Sequence, residues 1–184
     1  MRRQKQDGEK ALSGAALDMQ TLQRIFVERI ALVMTKMGKD FDTGTCCQVA
    51  ALPWRTDADG KIRVLLVTSR TNGKWMLPKG WPIEGKSEAE AALTEAQEEA
   101  GIDGTVSPMP IGSYHYLKLF DDGTTKPAQA VVYAVRVKSE RGTWDEKSER
   151  ERKWFRPQKA AAIAFEPDLK RFLADLSAER IALF

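Results

Sequence analysis

Chemistry is most concentrated between Ser87 and Gly101, where the chain reads Ser-Glu-Ala-Glu-Ala-Ala-Leu-Thr-Glu-Ala-Gln-Glu-Glu-Ala-Gly. Ser87 followed three residues later by Glu90 has the form of a capping box, and Gly101 suits the left-handed residue that closes a helix. At roughly 100° per residue, Glu88, Glu98 and Glu99 fall within about 60° of Glu95 on the resulting wheel. Ala89, Ala92, Leu93, Ala96 and Ala100 form a separate small-residue arc that lets the helix sit close against a sheet. Like charges at i,i+4, as in Glu95 and Glu99, destabilise a helix by a few tenths of a kcal/mol (about 0.2–0.5) per pair. No Lys or Arg stands inside the segment to offset them. A hard divalent cation would, since Mg²⁺ takes oxygen ligands and favours sites shared with phosphates. On spacing alone, the competing reading is a solvated acidic face, because Glu is a good helix former.

The loop and helix from Gly80 to Ile102 resemble the Nudix box of the Nudix hydrolases. Gly80, Glu95, Ala96, Glu98, Glu99, Gly101 and Ile102 stand in register with it. Two positions depart: Lys86 replaces the first Glu of the pattern and Thr94 replaces its Arg. The resemblance extends over about residues 45–165. It is carried further by Leu65-Leu-Val-Thr-Ser-Arg70, by Trp75-Met-Leu-Pro-Lys-Gly80, and by Trp144 followed by Arg150-Glu-Arg-Lys-Trp-Phe155. Within the family the chain looks most like hydrolases of diphosphoinositol polyphosphates and diadenosine polyphosphates.

The resemblance implies a metal-dependent pyrophosphohydrolase that cuts a phosphoanhydride bond with Mg²⁺ or Mn²⁺. Its substrate would be a polyphosphorylated small molecule. By position, Glu95, Glu99 and the backbone carbonyl of Lys79 match metal ligands, and Glu98 matches a ligand or general base. The base differs between subfamilies, and Glu146, Glu149 or Glu151 could supply a late carboxylate. Metal ions neutralise crowded phosphate oxygens and act as Lewis acids, so the remaining work is positioning and charge stabilisation. Lys86 and Thr94 suggest an ion pair lost as a unit, with Glu84 or Glu88 as substitutes for the missing carboxylate. The alternative reading is a catalytically weakened Nudix-fold module that binds or senses a nucleotide or polyphosphate.

Cations and aromatics frame the substrate expectation. Arg55 and Arg70 end the first two expected strands, and Lys74 and Lys79 flank the third. Arg150 and Arg152 lie in the segment similar to the family's late phosphate-contacting region. With Gly80, these six form the expected substrate-binding set, since Arg forks suit phosphate. Stacking by Trp81, Tyr114, Tyr116 or Tyr133 would favour an adenine-bearing substrate. A ring of Arg and Lys without stacking would favour an inositol pyrophosphate. His115, the single histidine, has no partners for a metal cluster and reads as structural.

The elements that must hold these residues follow from periodicity. Gln48–Arg55 and Ile62–Arg70 read as strands joined by Asp57-Ala-Asp-Gly60, and Trp75–Leu77 as a short third strand. After the helix come strands Ile111–Phe120 and Gln129–Lys138, a last strand at Trp154 and Phe155, and helices Pro157–Ala164 and Pro167–Leu176. The expected class is α+β, a Nudix-like α/β/α sandwich with a mixed sheet. Met19, Leu22, Phe26, Ile30, Val33 and Met37 make an apolar stripe on an N-terminal helix. That divides the chain into an extension, residues 1–43, and a Nudix-type domain, residues 44–184. The stripe would dock on the main domain or form a homodimer.

Composition bounds the rest. A chain of 184 residues suits one domain with an extension. At 42% hydrophobic and 30% charged it belongs with globular proteins rather than disordered ones. It has no apolar run long enough for a membrane span, and a net charge of +3 is too mild to imply nucleic-acid binding. Cys46 and Cys47 are adjacent, which disfavours a disulfide framework. No signal-peptide apolar core follows Met1–Lys10; a transit peptide is the alternative reading, weakened by Asp7, Glu9, Asp18 and Glu28. The expected compartment is the reducing cytoplasm.

Overall fold

The computed structural model describes residues 46–120, 122–177 and 183, all within the unit Thr43–Phe184. The expected N-terminal helix and its apolar stripe fall outside the described residues.

Among the described residues eight strands share one sheet: β1 (Cys46–Thr56), β2 (Ile62–Thr68), β3 (Trp75–Met76), β4 (Lys79–Gly80), β5 (Ile102–Val106), β6 (Gly112–Leu119), β7 (Thr125–Glu140) and β8 (Arg152–Phe155). The main path runs β3-β2-β1-β7-β5, with β4 on β1, β6 on β7 and β8 on β2. β1 and β7 run parallel and every other pair is antiparallel, so the sheet is mixed as expected. Three helices complete the domain: α1 (Glu88–Ala100), α2 (Pro157–Ile163) and α3 (Pro167–Ser177).

Period-two alternation explains the layering. Ala50, Leu52 and Trp54 of β1, Val64 and Leu66 of β2, and Ala130, Val132 and Ala134 of β7 form one core with Ala160, Leu169, Phe172, Leu173 and Leu176 of the α2–α3 side. The alternate residues Val49, Ala51, Leu65, Val67, Val131 and Val135 are buried too. α1 packs against β1, β4 and β5, and its Ala89, Ala91, Ala92, Ala96 and Ala100 are buried. A sheet covered on both faces by helices is the α/β/α sandwich.

Two strands are not evident from sequence periodicity. β4 is only Lys79–Gly80, and Gly-rich character masks it as loop. β5 begins at Ile102, immediately after the cap at Gly101, and carries a bulge between Asp103 and Gly104 that breaks its alternation.

Candidate active site

α1 starts as its sequence dictates. Ser87 caps the Glu90 N–H while the Glu90 carboxylate accepts from the Ser87 N–H at 2.8 Å. It ends at Gly101, whose φ of 60° is left-handed. The loop after β7 is pinned to this end. Arg141 N–H donates to Gly101 O at 2.8 Å, and the Arg152 guanidinium donates to Ala100 O and to Gly101 O while lying 4.1 Å from the Trp144 ring centre. A Cβ at Gly101 would press on the Trp144 ring at 2.8 Å.

This frame brings α1 onto β4. The Glu95 carboxylate lies directly over Gly80, where any Cβ would collide with it. Glu99 is 5% exposed and accepts from the Lys79 N–H at 3.2 Å. Ala51 N–H bonds to Pro78 O at 2.9 Å, so strand alternation makes Ala50 and Lys79 a non-hydrogen-bonded pair. Both backbone groups of Lys79 therefore point away from β1. Glu98 stands exposed, and its carbonyl accepts from the Glu146 N–H at 3.2 Å. Glu95, Glu99, Lys79 and Gly80 thus meet at one contact, with Glu98 on its solvent side.

Burial dominates the electrostatics. It pushes the Glu95 carboxyl up to about 7, helped by the charges of Glu98 and Glu146 and opposed by Arg150 and Lys118. Burial likewise raises Glu99 to about 7, against the pull of Arg150 and Lys79. It lowers the Lys79 ammonium, which Glu166 and Glu99 resist.

The six cations expected to bind substrate do not all come together. Arg55 pairs with Glu140 and stacks 4.1 Å from the Trp154 ring centre, at the end of β1 remote from β4. Arg152 is used in closing α1. The Lys79 amine turns inward to Glu166 at 3.3 Å. Arg150 is buried and donates to Thr68 O at 2.9 Å, to Glu99 and to Glu146. Lys74 lies 5.4 Å from the Phe165 ring centre. Arg70, half-exposed, pairs with Glu146 at 3.3 Å and Glu149 at 3.6 Å, at the margin of the carboxylate group. Committed elsewhere, Arg55 and Arg152 are unsuited to the phosphate contacts expected of them.

Sequence reading misses Lys118. It sits on the β6 face shared with Tyr114 and Tyr116, 5.3 Å from the centre of the exposed Trp81 ring, and its charge reaches Glu95 and Lys79. The period-two run Tyr114, Tyr116, Lys118 is the signal that could have found it. The two departures from the box are each other's partners: Lys86 Nζ donates to Thr94 Oγ1 at 2.9 Å. Glu88 accepts from the Tyr133 hydroxyl at 2.7 Å.

Among the described residues, no group of three or more His, Cys, Asp and Glu side chains is assembled for a metal ion. A divalent cation still suits the donors present. Mg²⁺ keeps several waters and is commonly held through one or two carboxylates plus substrate phosphates. Glu95 and Glu99 on one side of β4 supply that kind of set.

Comparison with known proteins bears on this site. The chain is 28% identical over 152 residues to the mitochondrial Nudix hydrolase 16 of Arabidopsis thaliana, covering 76% of this chain and 84% of that protein. It is 32% identical over 139 residues to the chloroplastic Nudix hydrolase 21 of the same plant, covering 69% and 66%. A crystal structure of a C. elegans Ap4A hydrolase binary complex shares the fold, with a TM-score of 0.57 and 24% identity over 74% of this chain and 98% of that one. These relatives overturn the cytoplasmic expectation, because they are organellar proteins. Adjacent cysteines and a charged start did not carry that inference. No described helix is long and apolar enough to cross a membrane. The NUDIX domain model matches residues 48–176, which contain all but the ends of the sandwich and the whole α1–β4 contact; the chain belongs to the Nudix hydrolases, enzymes that cleave phosphoanhydride bonds.

Proposed function

We propose that this enzyme hydrolyses the polyphosphate bridge of a dinucleoside polyphosphate of the diadenosine type, with Glu95, Glu99 and the Lys79 carbonyl holding Mg²⁺ or Mn²⁺. The observation that carries the substrate class is Trp81. This residue, immediately after Gly80, is 45% exposed, with the Lys118 ammonium beside its ring. A flat ring next to a cation suits a base followed by its phosphates. Tyr114 and Tyr133 are buried and do not compete for that role. The dense cationic ring that an inositol pyrophosphate demands is reduced by the internal engagement of Arg55, Lys79, Arg150 and Arg152. The Ap4A hydrolase that shares this fold acts on a compound of the proposed class.

The chain's own groups have separable tasks. A divalent ion held by Glu95 and Glu99 would supply charge neutralisation and Lewis acidity. Glu98, exposed beside them, takes the proton of the attacking water. Lys118 and Arg70 hold the phosphate chain, and Trp81 orients the base. Lys86 and Thr94 bond to each other while the Glu95–Glu99 set stays intact, which favours turnover over a sensing role.

Steady-state hydrolysis of diadenosine tetraphosphate and of a diphosphoinositol polyphosphate, each with Mg²⁺ and Mn²⁺, tests the assignment. The dinucleotide is the better substrate, and Trp81→Ala raises its KM about tenfold, the loss of one stacking contact of about 1–3 kcal/mol. Preference for the inositol compound, with no effect of Trp81→Ala, would refute it.

A further inference from the structure

Arg150 makes the most demanding contact in the site. Its side chain is 5% exposed, and the carboxylate it meets, Glu99, is 7% exposed. Three donors are placed at once: Nη1 on Thr68 O at 2.9 Å, Nη2 on Glu99 Oε1, and Nε on Glu146 Oε2. The second oxygen of Glu99 already accepts from the Lys79 N–H at 3.2 Å. α1 carries no cation of its own, because Thr94 occupies the box position of the Arg. The positive charge on Glu99 therefore arrives from a loop 51 residues away.

A divalent ion ligated by a carboxylate lies about 2.0–2.1 Å from its oxygen. A guanidinium on that same oxygen is then a like charge a few ångströms off, at a place too buried for water to screen. We propose that Arg150 and the divalent ion compete for Glu99, so that Arg150 is a positioning residue that sets the site's metal affinity. This rests on the reading of Glu99 as a metal ligand. Glu146 gives the displaced guanidinium a place to go. It already accepts from Arg150, is 22% exposed, and also pairs with Arg70 at 3.3 Å. The competition lets the loop after β7 sense occupancy at α1, since Arg150 joins the two.

Mn²⁺ titration of the full chain, followed by the electron paramagnetic resonance of the free ion, tests this with wild type, Arg150→Gln and Arg150→Lys. Arg150→Gln keeps a hydrogen-bonding side chain without charge and tightens Mn²⁺ binding about tenfold. Arg150→Lys keeps the charge and stays within about threefold of wild type. Weaker or unchanged binding by Arg150→Gln, with normal wild-type binding, overturns the competition and leaves the ligand assignment standing. Absence of wild-type binding overturns both. Should Arg150→Gln not fold, Mg²⁺ titration of the wild type is read through the Arg150 Nη2–H resonance, the donor on Glu99, identified by its loss in Arg150→Lys. Slow hydrogen exchange that disappears on saturation supports displacement, and exchange that stays slow overturns it.

Discussion

Glu95 and Glu99 are carboxylates whose surroundings oppose their charge. Burial raises both to about 7 from an ordinary value of 4.5. In the unfolded chain each loses its proton near that ordinary value, whereas in the fold each keeps it longer. The folded state thus binds more protons between about pH 4.5 and 7, and stability falls as pH rises through that window. A divalent ion bound by the two carboxylates, as proposed, would need both ionised and would reverse the trend. Thermal unfolding with chelator is therefore expected to show Tm falling from about pH 5 to 7, while the Tm gain from Mn²⁺ widens over the same range. Parallel curves with and without Mn²⁺ would contradict the assignment. That these two residues share a helix face was legible in sequence because helical spacing is local, whereas their reading as ligands came from the resemblance to the Nudix box. Arg150 on Glu99 was not, because nothing local encodes a contact across 51 residues.

Elements deliver these residues through two glycines that do different work. At Gly80 an added Cβ meets only the tip of the Glu95 side chain, which can swing aside. At Gly101 the φ of 60° is itself strained for any other residue, and the added atom meets the Trp144 ring. Gly80→Ala is expected to leave Tm nearly unchanged while lowering kcat about a hundredfold, because Glu95 is displaced. Gly101→Ala is expected to lose more than about 1 kcal/mol of stability, measured by urea unfolding. The reverse pattern would mean that Glu95 is not held by β4. The limits of α1 were readable from Ser87, Glu90 and Gly101, each of which acts within a turn. β4 and β5 were not, since their pairing partners on β1 and β7 alone make two or five residues into strands.

Taken whole, the molecule places one carboxylate-bearing helix against a short strand in a sheet closed by helices on both faces. The mixed sheet was foreseeable from alternating apolar segments around an inserted helix. The fate of the cations was not: Arg55, Arg150 and Arg152 all resemble phosphate ligands in sequence, and only the register of β1, β7 and β8 shows two of them paired with Glu140 or a helix end and the third on Glu99. Lys118 gains its place beside Trp81 from the β6–β7 pairing in the same way. A divalent ion at the α1–β4 contact is the centre of the proposed chemistry. Crystals soaked in Mn²⁺ and measured for anomalous scattering test it most directly. A peak within coordination distance of Glu95, Glu99 and the Lys79 carbonyl is expected, whereas the absence of a peak there, with a substrate analogue bound, would contradict it.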